Sequence, residues 1–220
     1  MDEKIIFPNN LIKKNTSKPK RGIVLAGGGA RGAYEVGVLS YIFQELPRGL
    51  IKPGDINIIC GSSVGAIHAC FLAGSAHIEG FDMDRLVDSW RDMRIEKMLK
   101  LRARDMVRLP FEFKKLFSGS PQRKGLLLNS RALQDLVVRD MPWAQVRYNV
   151  RSNVVEALAL SATHVKSGKS TIFVDRADGK IPSWSRDPRT IATPTRITPQ
   201  HALASAAIPL LFPAIKIDGS

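Results

Sequence analysis

The chain has 220 residues, 44% of them hydrophobic and 24% charged, enough apolar content for one large domain; this excludes an intrinsically disordered protein. A formal net charge of +13 calls for an anionic partner, but the charge is spread along the chain with no nucleic-acid motif beside it, so no nucleic acid is expected. Two cysteines, Cys60 and Cys70, and no metal-ligand spacing exclude a disulfide scaffold and predict a cytoplasmic setting, with neither metal nor cofactor.

The start, Met1-Asp2-Glu3-Lys4, is acidic and leads into no long apolar stretch, so it does not read as a secretory signal. No segment reaches the ~20 apolar residues of a membrane span. Residues 1–20 read as a flexible, basic lead-in.

Gly22-Ile23-Val24-Leu25-Ala26 reads as a short buried strand. It runs into Gly27-Gly28-Gly29-Ala30-Arg31-Gly32, and a helix is expected from about Ala33 to Leu46, with Tyr34, Val38, Tyr41 and Ile42 at helical spacing. The hexapeptide fits G-x-G-x-x-G, which by itself suggests a dinucleotide-binding turn. Glu45 lies near the position of a ribose-binding acid, but inside the expected helix rather than at a strand end. The competing reading is an oxyanion hole, in which Gly27 to Gly32 aim backbone N–H groups at one point and Arg31 adds a fixed charge.

Ile56-Asn57-Ile58-Ile59-Cys60 reads as the next buried strand, and Ala66 to Ala73 as a helix. Between them lies Gly61-Ser62-Ser63-Val64-Gly65, a G-x-S-x-G pattern in strand–turn–helix context. That context makes Ser63 a candidate nucleophile on a tight turn, with Gly61, Ser62, Val64 and Gly65 forming the elbow. Such a turn also occurs without chemistry. The helix N-terminus beside Ser63 favours developing negative charge.

Phe81 to Val146 reads as a mostly helical insertion broken by Pro110, Pro121 and Pro142, with a loop from Ser118 to Gly125. Within it, the stretch 91–117 holds nine basic and four acidic residues, net +5, interleaved with Met, Leu and Phe. That describes either a solvated amphipathic helix or a segment lying on an anionic membrane. The core resumes at Val154 to Ala162, and Thr171 to Asp175 reads as a strand. Ser183 to Arg196 reads as polar and irregular. Thr198 to Ala206 is expected to be a helix capped by Thr198, with Pro199 in its first turn. The two strands joined by a tight helical crossover predict an α/β fold with a parallel sheet.

The glycine loop and the serine turn, in this order and about 30 residues apart, resemble the patatin-like phospholipases. Ala202 to Pro209 and Leu211-Phe212-Pro213 are similar to the same family. The resemblance covers about Gly22 to the C-terminus and is thin between Ala76 and Asn149. It implies a three-layer patatin-like α/β fold over 21–220, with a mainly parallel central sheet flanked by helices and a helical insertion at 81–146. It further implies a serine acyl hydrolase, in which Ser63 attacks a lipid ester, the Gly27 loop holds the oxyanion and an aspartate in a D-G-G or D-G-A turn is the base. The late Asp-Gly here is Asp218-Gly219, followed by Ser220. Asp218 is either that aspartate or part of an earlier turn. The second reading is preferred, which leaves the domain C-terminally incomplete. Lipid is then the expected substrate, with peripheral membrane contact through 91–117; the oligomeric state is open.

A Ser-His-Asp triad is the alternative chemistry. His68 lies five residues past Ser63 on the same helix, on a different face. His77, His164 and His201 have no evident acidic partner, and all four read as surface or helix-end residues. Three functions therefore remain: a lipid acyl hydrolase, a nucleotide-binding α/β protein, or a membrane-binding protein without turnover.

Overall fold

The computed structural model describes residues 20–47, 50–51, 54–92, 134–181, 187–207 and 214–217. Five strands, β1 (Arg21–Leu25), β2 (Ile56–Ser62), β3 (Ala157–Thr163), β4 (Ser170–Asp175) and β5 (Thr190–Pro194), form one sheet in sequence order. β1, β2 and β3 run parallel, with Leu25 opposite Gly61 and Ser62 opposite Ser161. β4 returns antiparallel to β3 through the tight turn at Gly168, whose φ of 66° suits glycine, and β5 lies parallel to β4. The protein is therefore α/β with a mainly parallel sheet, as the crossover pattern predicts.

Among the described residues, five helices join them: α1 (Gly32–Ser40), α2 (Val64–Ser75), α3 (Met83–Asp92), α4 (Trp143–Arg151) and α5 (Pro199–Ala206). α1 continues through a wider π-helical turn at Tyr41–Glu45 and stops where Leu46 becomes extended, so Glu45 is helical as expected. α2 packs on β2, β3, α4 and α5, and every residue from Gly65 to Ser75 is buried. A helix surrounded by protein needs its C-terminal carbonyls satisfied internally. The amide of buried Asn149 on α4 does this, donating to Ala73 O at 2.7 Å and Gly74 O at 3.0 Å.

Three sequence expectations change. β1 is not a buried strand: it lies at one edge of the sheet, and Val24 is 81% exposed while Leu25 is buried. The buried face of α1 is Gly32, Val36 and Leu39 rather than Tyr34, Val38 and Tyr41, which are exposed. Tyr34, Val38 and Ile42 instead wall a groove of about 450 Å³ beside Ile23 and Val24 of β1. Finally, 190–194 is strand β5, although the stretch from Ser183 reads as irregular. Thr190, Ile191 and Thr193 are β-branched and suit a pleated surface.

The insertion expected over 81–146 falls mostly outside the described residues. Its two described ends join the main core through Phe81, Met83, Leu86, Val137 and Met141. The apolar residues of 93–117, the Ile208-Pro209 and Phe212-Pro213 pairs, and Asp218 also lie outside the described residues.

Candidate active site

β2 ends at Ser62 and α2 begins at Val64, so one residue turns the chain from strand to helix. That residue is Ser63, with φ 54° and ψ −123°. A non-glycine residue there costs of order 1–3 kcal/mol and persists only where its surroundings impose it. The surroundings are visible on both sides. A Cβ at Gly61 would strike the carbonyl of Gly65, and one at Gly65 would strike the carbonyl of Leu25, so the strand, the helix and β1 meet backbone to backbone. These contacts explain both glycines of the pentapeptide.

The turn is also held by a hydroxyl. Ser63 N–H donates to Ser205 Oγ at 2.8 Å, and that hydroxyl donates to Ser161 O at 2.6 Å. Ser205 on α5 thereby links the serine turn to the end of β3. Because the Ser63 N–H is engaged, it is not offered to a ligand.

The glycine loop crosses the serine. A Cβ at Gly27 would lie 3.1 Å from Ser63 Cβ and 3.4 Å from Ser62 O. Gly28 accepts from Arg31 N–H at 3.1 Å, closing a 3₁₀ turn over Gly29–Arg31 in which Gly29 has φ 56°. The Arg31 stem folds over Gly28, 3.2 Å from where its Cβ would be. Gly32 opens α1 under the Trp90 ring, which a Cβ would meet at 2.6 Å, and beside Val64. Among the described residues, the N–H groups of Gly27, Gly28, Gly29 and Val64 have no protein acceptor. Gly27 to Gly32 and Gly61 to Gly65 are thus brought together. The groove beside β1 reaches Gly27 and Gly28, but Ser63 is not on its wall.

The thiols near this turn are poor nucleophiles. Burial pushes both Cys60 and Cys70 up from the ordinary thiol range, Cys70 further with help from the charge of Asp175, so both stay protonated. Asp175 closes β4 opposite Leu158, whereas Ser62 pairs with Ser161; three residues along β3, ~10 Å, set Asp175 toward the far end of the sheet from Ser63. Its carboxylate accepts the Ile197 N–H at 2.8 Å. Burial nevertheless raises its affinity for a proton, against that bond and the nearby Arg196 and Arg151.

A sequence model described as patatin-like phospholipase matches residues 23–220. The chain belongs to the patatin-like phospholipase family. It is also 37% identical over 87 residues to the uncharacterized protein L620 of Acanthamoeba polyphaga mimivirus, a match covering 36% of this chain and 23% of that protein. Among solved structures, VipD from Legionella pneumophila overlays with a TM-score of 0.45 at 14% identity, covering 88% of this chain and 43% of VipD. ExoU, solved in complex with SpcU from Pseudomonas aeruginosa, overlays at 0.36 and 19% identity, covering 87% of this chain and 36% of that one. The chain thus spans less than half the length of each of these proteins, and the overlays are too loose to add to the family assignment.

The histidines of this patatin-like domain are not all surface or helix-end residues. His68 is not a surface or helix-end residue: it is fully buried, with Nδ1 2.6 Å from Glu35 Oε1 and Nε2 receiving the Trp90 indole N–H at 2.9 Å. Glu35 is the acidic partner that sequence alone did not indicate, being 33 positions away. Its other oxygen accepts the Ala26 N–H at 3.0 Å. His201 does stand at a helix start but is buried, where its Nδ1 accepts the Thr198 N–H at 3.1 Å, completing a capping box, and burial lowers its proton affinity. His77 and His164 are exposed. None of the four is bonded to Ser63 among the described residues. Ser205, Glu35 and Trp90 are the site residues that sequence reading missed. Only Glu35 carried a signal, as the acid in the first turn after the glycine loop.

Proposed function

We propose that the chain carries the nucleophile and oxyanion donors of a serine acyl hydrolase acting on fatty-acyl esters of phospholipids or other lipids. The observation that carries this reading is the conformation of Ser63: a strained, positive-φ serine at the head of α2, crossed by Gly27. The Ser63 oxygen attacks the ester carbonyl carbon, and the carbonyl electron pair moves onto its oxygen. The N–H groups of Val64 and of Gly27 and Gly28, with the α2 dipole behind them, meet that charge. The base takes the Ser63 proton during attack and returns it to the leaving oxygen, so collapse expels a neutral alcohol and leaves an acyl-Ser63 ester; water, deprotonated by the same base, then hydrolyses that ester and Ser63 regains its proton. The base is an aspartate by family resemblance; Asp218 is outside the described residues and Asp175 is toward the wrong end of the sheet.

The nucleotide reading fares worse. A pyrophosphate would sit where the Glu35 carboxylate already holds the Ala26 N–H, so two anions would compete for one turn. Membrane contact through 91–117 remains a proposal tied to the lipid substrate.

The test is labelling by a fluorophosphonate together with hydrolysis of a long-chain nitrophenyl ester. The wild-type chain should be labelled at Ser63 and Ser63→Ala should be silent in both assays. Turnover or labelling that survives Ser63→Ala would sink the assignment.

A further inference from the structure

The Glu35–His68–Trp90 chain plays no part in the chemistry above, yet it sets a half-buried acid and a buried imidazole behind the glycine loop. Its hydrogen-bond directions are fixed from both ends. The indole Nε1–H of Trp90 can only donate, so His68 Nε2 must accept. The His68 proton then sits on Nδ1 and is donated to Glu35 Oε1. At the other end the Ala26 N–H can only donate, so Glu35 Oε2 accepts. All three bonds are satisfied together by an ionised Glu35 and a neutral His68. The glutamine amide cannot replace this carboxylate, because it accepts on one side only.

The network spans four elements. Ala26 is the residue between β1 and the loop, Glu35 is on α1, His68 on α2 and Trp90 on α3. The same indole ring covers Gly32 and so sets the spacing of the loop's other end. One carboxylate therefore fixes the first peptide of the glycine loop while its partner fixes the last.

We infer that Glu35 is a positioning residue: it holds the Ala26–Gly27 peptide, and through His68 and Trp90 the Gly32 end, so that the loop's N–H groups face the carbon Ser63 attacks. This rests on the acyl-hydrolase reading of the site. Misplacing oxyanion donors by about 1 Å costs on the order of 100-fold in rate.

Histidine mimics separate the two bonds. Asparagine at 68 places an amide N–H where Nδ1 was, keeping the bond to Glu35; glutamine places its oxygen near Nε2, keeping the bond to Trp90. Fluorophosphonate labelling rates, ester kcat and KM, amide exchange at Ala26 and melting temperature are measured on the full 220-residue chain. Glu35→Gln and His68→Gln should lower kcat and labelling roughly 10- to 100-fold with KM little changed and Ala26 exchanging faster, while His68→Asn, which frees only the Trp90 end, should lose less rate and keep Ala26 protected. Wild-type kcat and wild-type Ala26 protection in Glu35→Gln would overturn the inference, as would equal losses in His68→Asn and His68→Gln. If the wild type is as inert as Ser63→Ala, the hydrolase reading fails for this 220-residue chain, and Ala26 exchange alone decides the role of Glu35: faster exchange in Glu35→Gln supports it and unchanged exchange overturns it.

Discussion

The serine turn and the glycine loop face each other and are built on opposite principles. At the serine turn the glycines are there for lack of room: a methyl group at position 61 or 65 would fall on main-chain carbonyls that cannot move aside. At the loop the nearest neighbours are mostly side chains: a Cβ at Gly27, Gly28 or Gly32 would first meet Ser63, Arg31 or Trp90, and nothing lies within 4 Å of one placed at Gly29. The turn is therefore specified by main-chain packing and a bond from the Ser63 N–H to Ser205 Oγ, whereas the loop is specified by side chains behind it. The main chain around Ser63 is thus held on all sides, while the loop can give where Gly29 stands.

The sharpest way to break the comparison is Gly65→Ala. It should cost about 3 kcal/mol or more, or abolish soluble expression, because the new methyl displaces backbone of β1; chemical denaturation measures it. A mild effect would mean that the turn is as adjustable as the loop.

A second test reaches the turn through α5, which carries Ser205 and is capped by His201. His201 has a depressed proton affinity in the folded chain, so its contribution is present above the unfolded histidine value and is lost as pH falls through the folded one. Stability should drop between neutral and mildly acidic pH, and His201→Gln, which keeps an acceptor at that cap, should flatten the slope in denaturation curves.

Gly29→Ala should cost only about 1 kcal/mol, from its positive φ and not from crowding. A loss matching that of Gly65→Ala would show the loop to be tightly packed after all. Smallest in size and opposite in sign, Ser63→Gly should raise stability by about 0.5–1 kcal/mol by relieving the strained φ, while ending fluorophosphonate labelling.

What was legible in the sequence follows the same division. Local signals located the serine turn, the glycine loop, β4, and the start of α5 at Thr198-Pro199, because each depends on neighbours in the chain. Long-range facts were hidden. His68 read as outward-facing because its partners Glu35 and Trp90 are 33 and 22 positions away. Tyr34, Val38 and Tyr41 stand at helical spacing, yet α1 turns Val36 and Leu39 inward. β5 was obscured by Asp187, Pro188 and Arg189 just before it and Pro194 at its end; its pairing with β4 outweighs those local signals.

The burial of α2 has an electrostatic consequence. With every residue from Gly65 to Ser75 out of water, its peptide dipoles are aligned in a medium of low polarisability, and solvent screens them little. The Asn149 amide hydrogens meet the carbonyls at its far end, so the negative pole is partly neutralised locally. What remains is a partly uncompensated positive potential at the other pole, where Ser63 stands: a fixed field supplied from the interior of the fold, oriented before any substrate arrives.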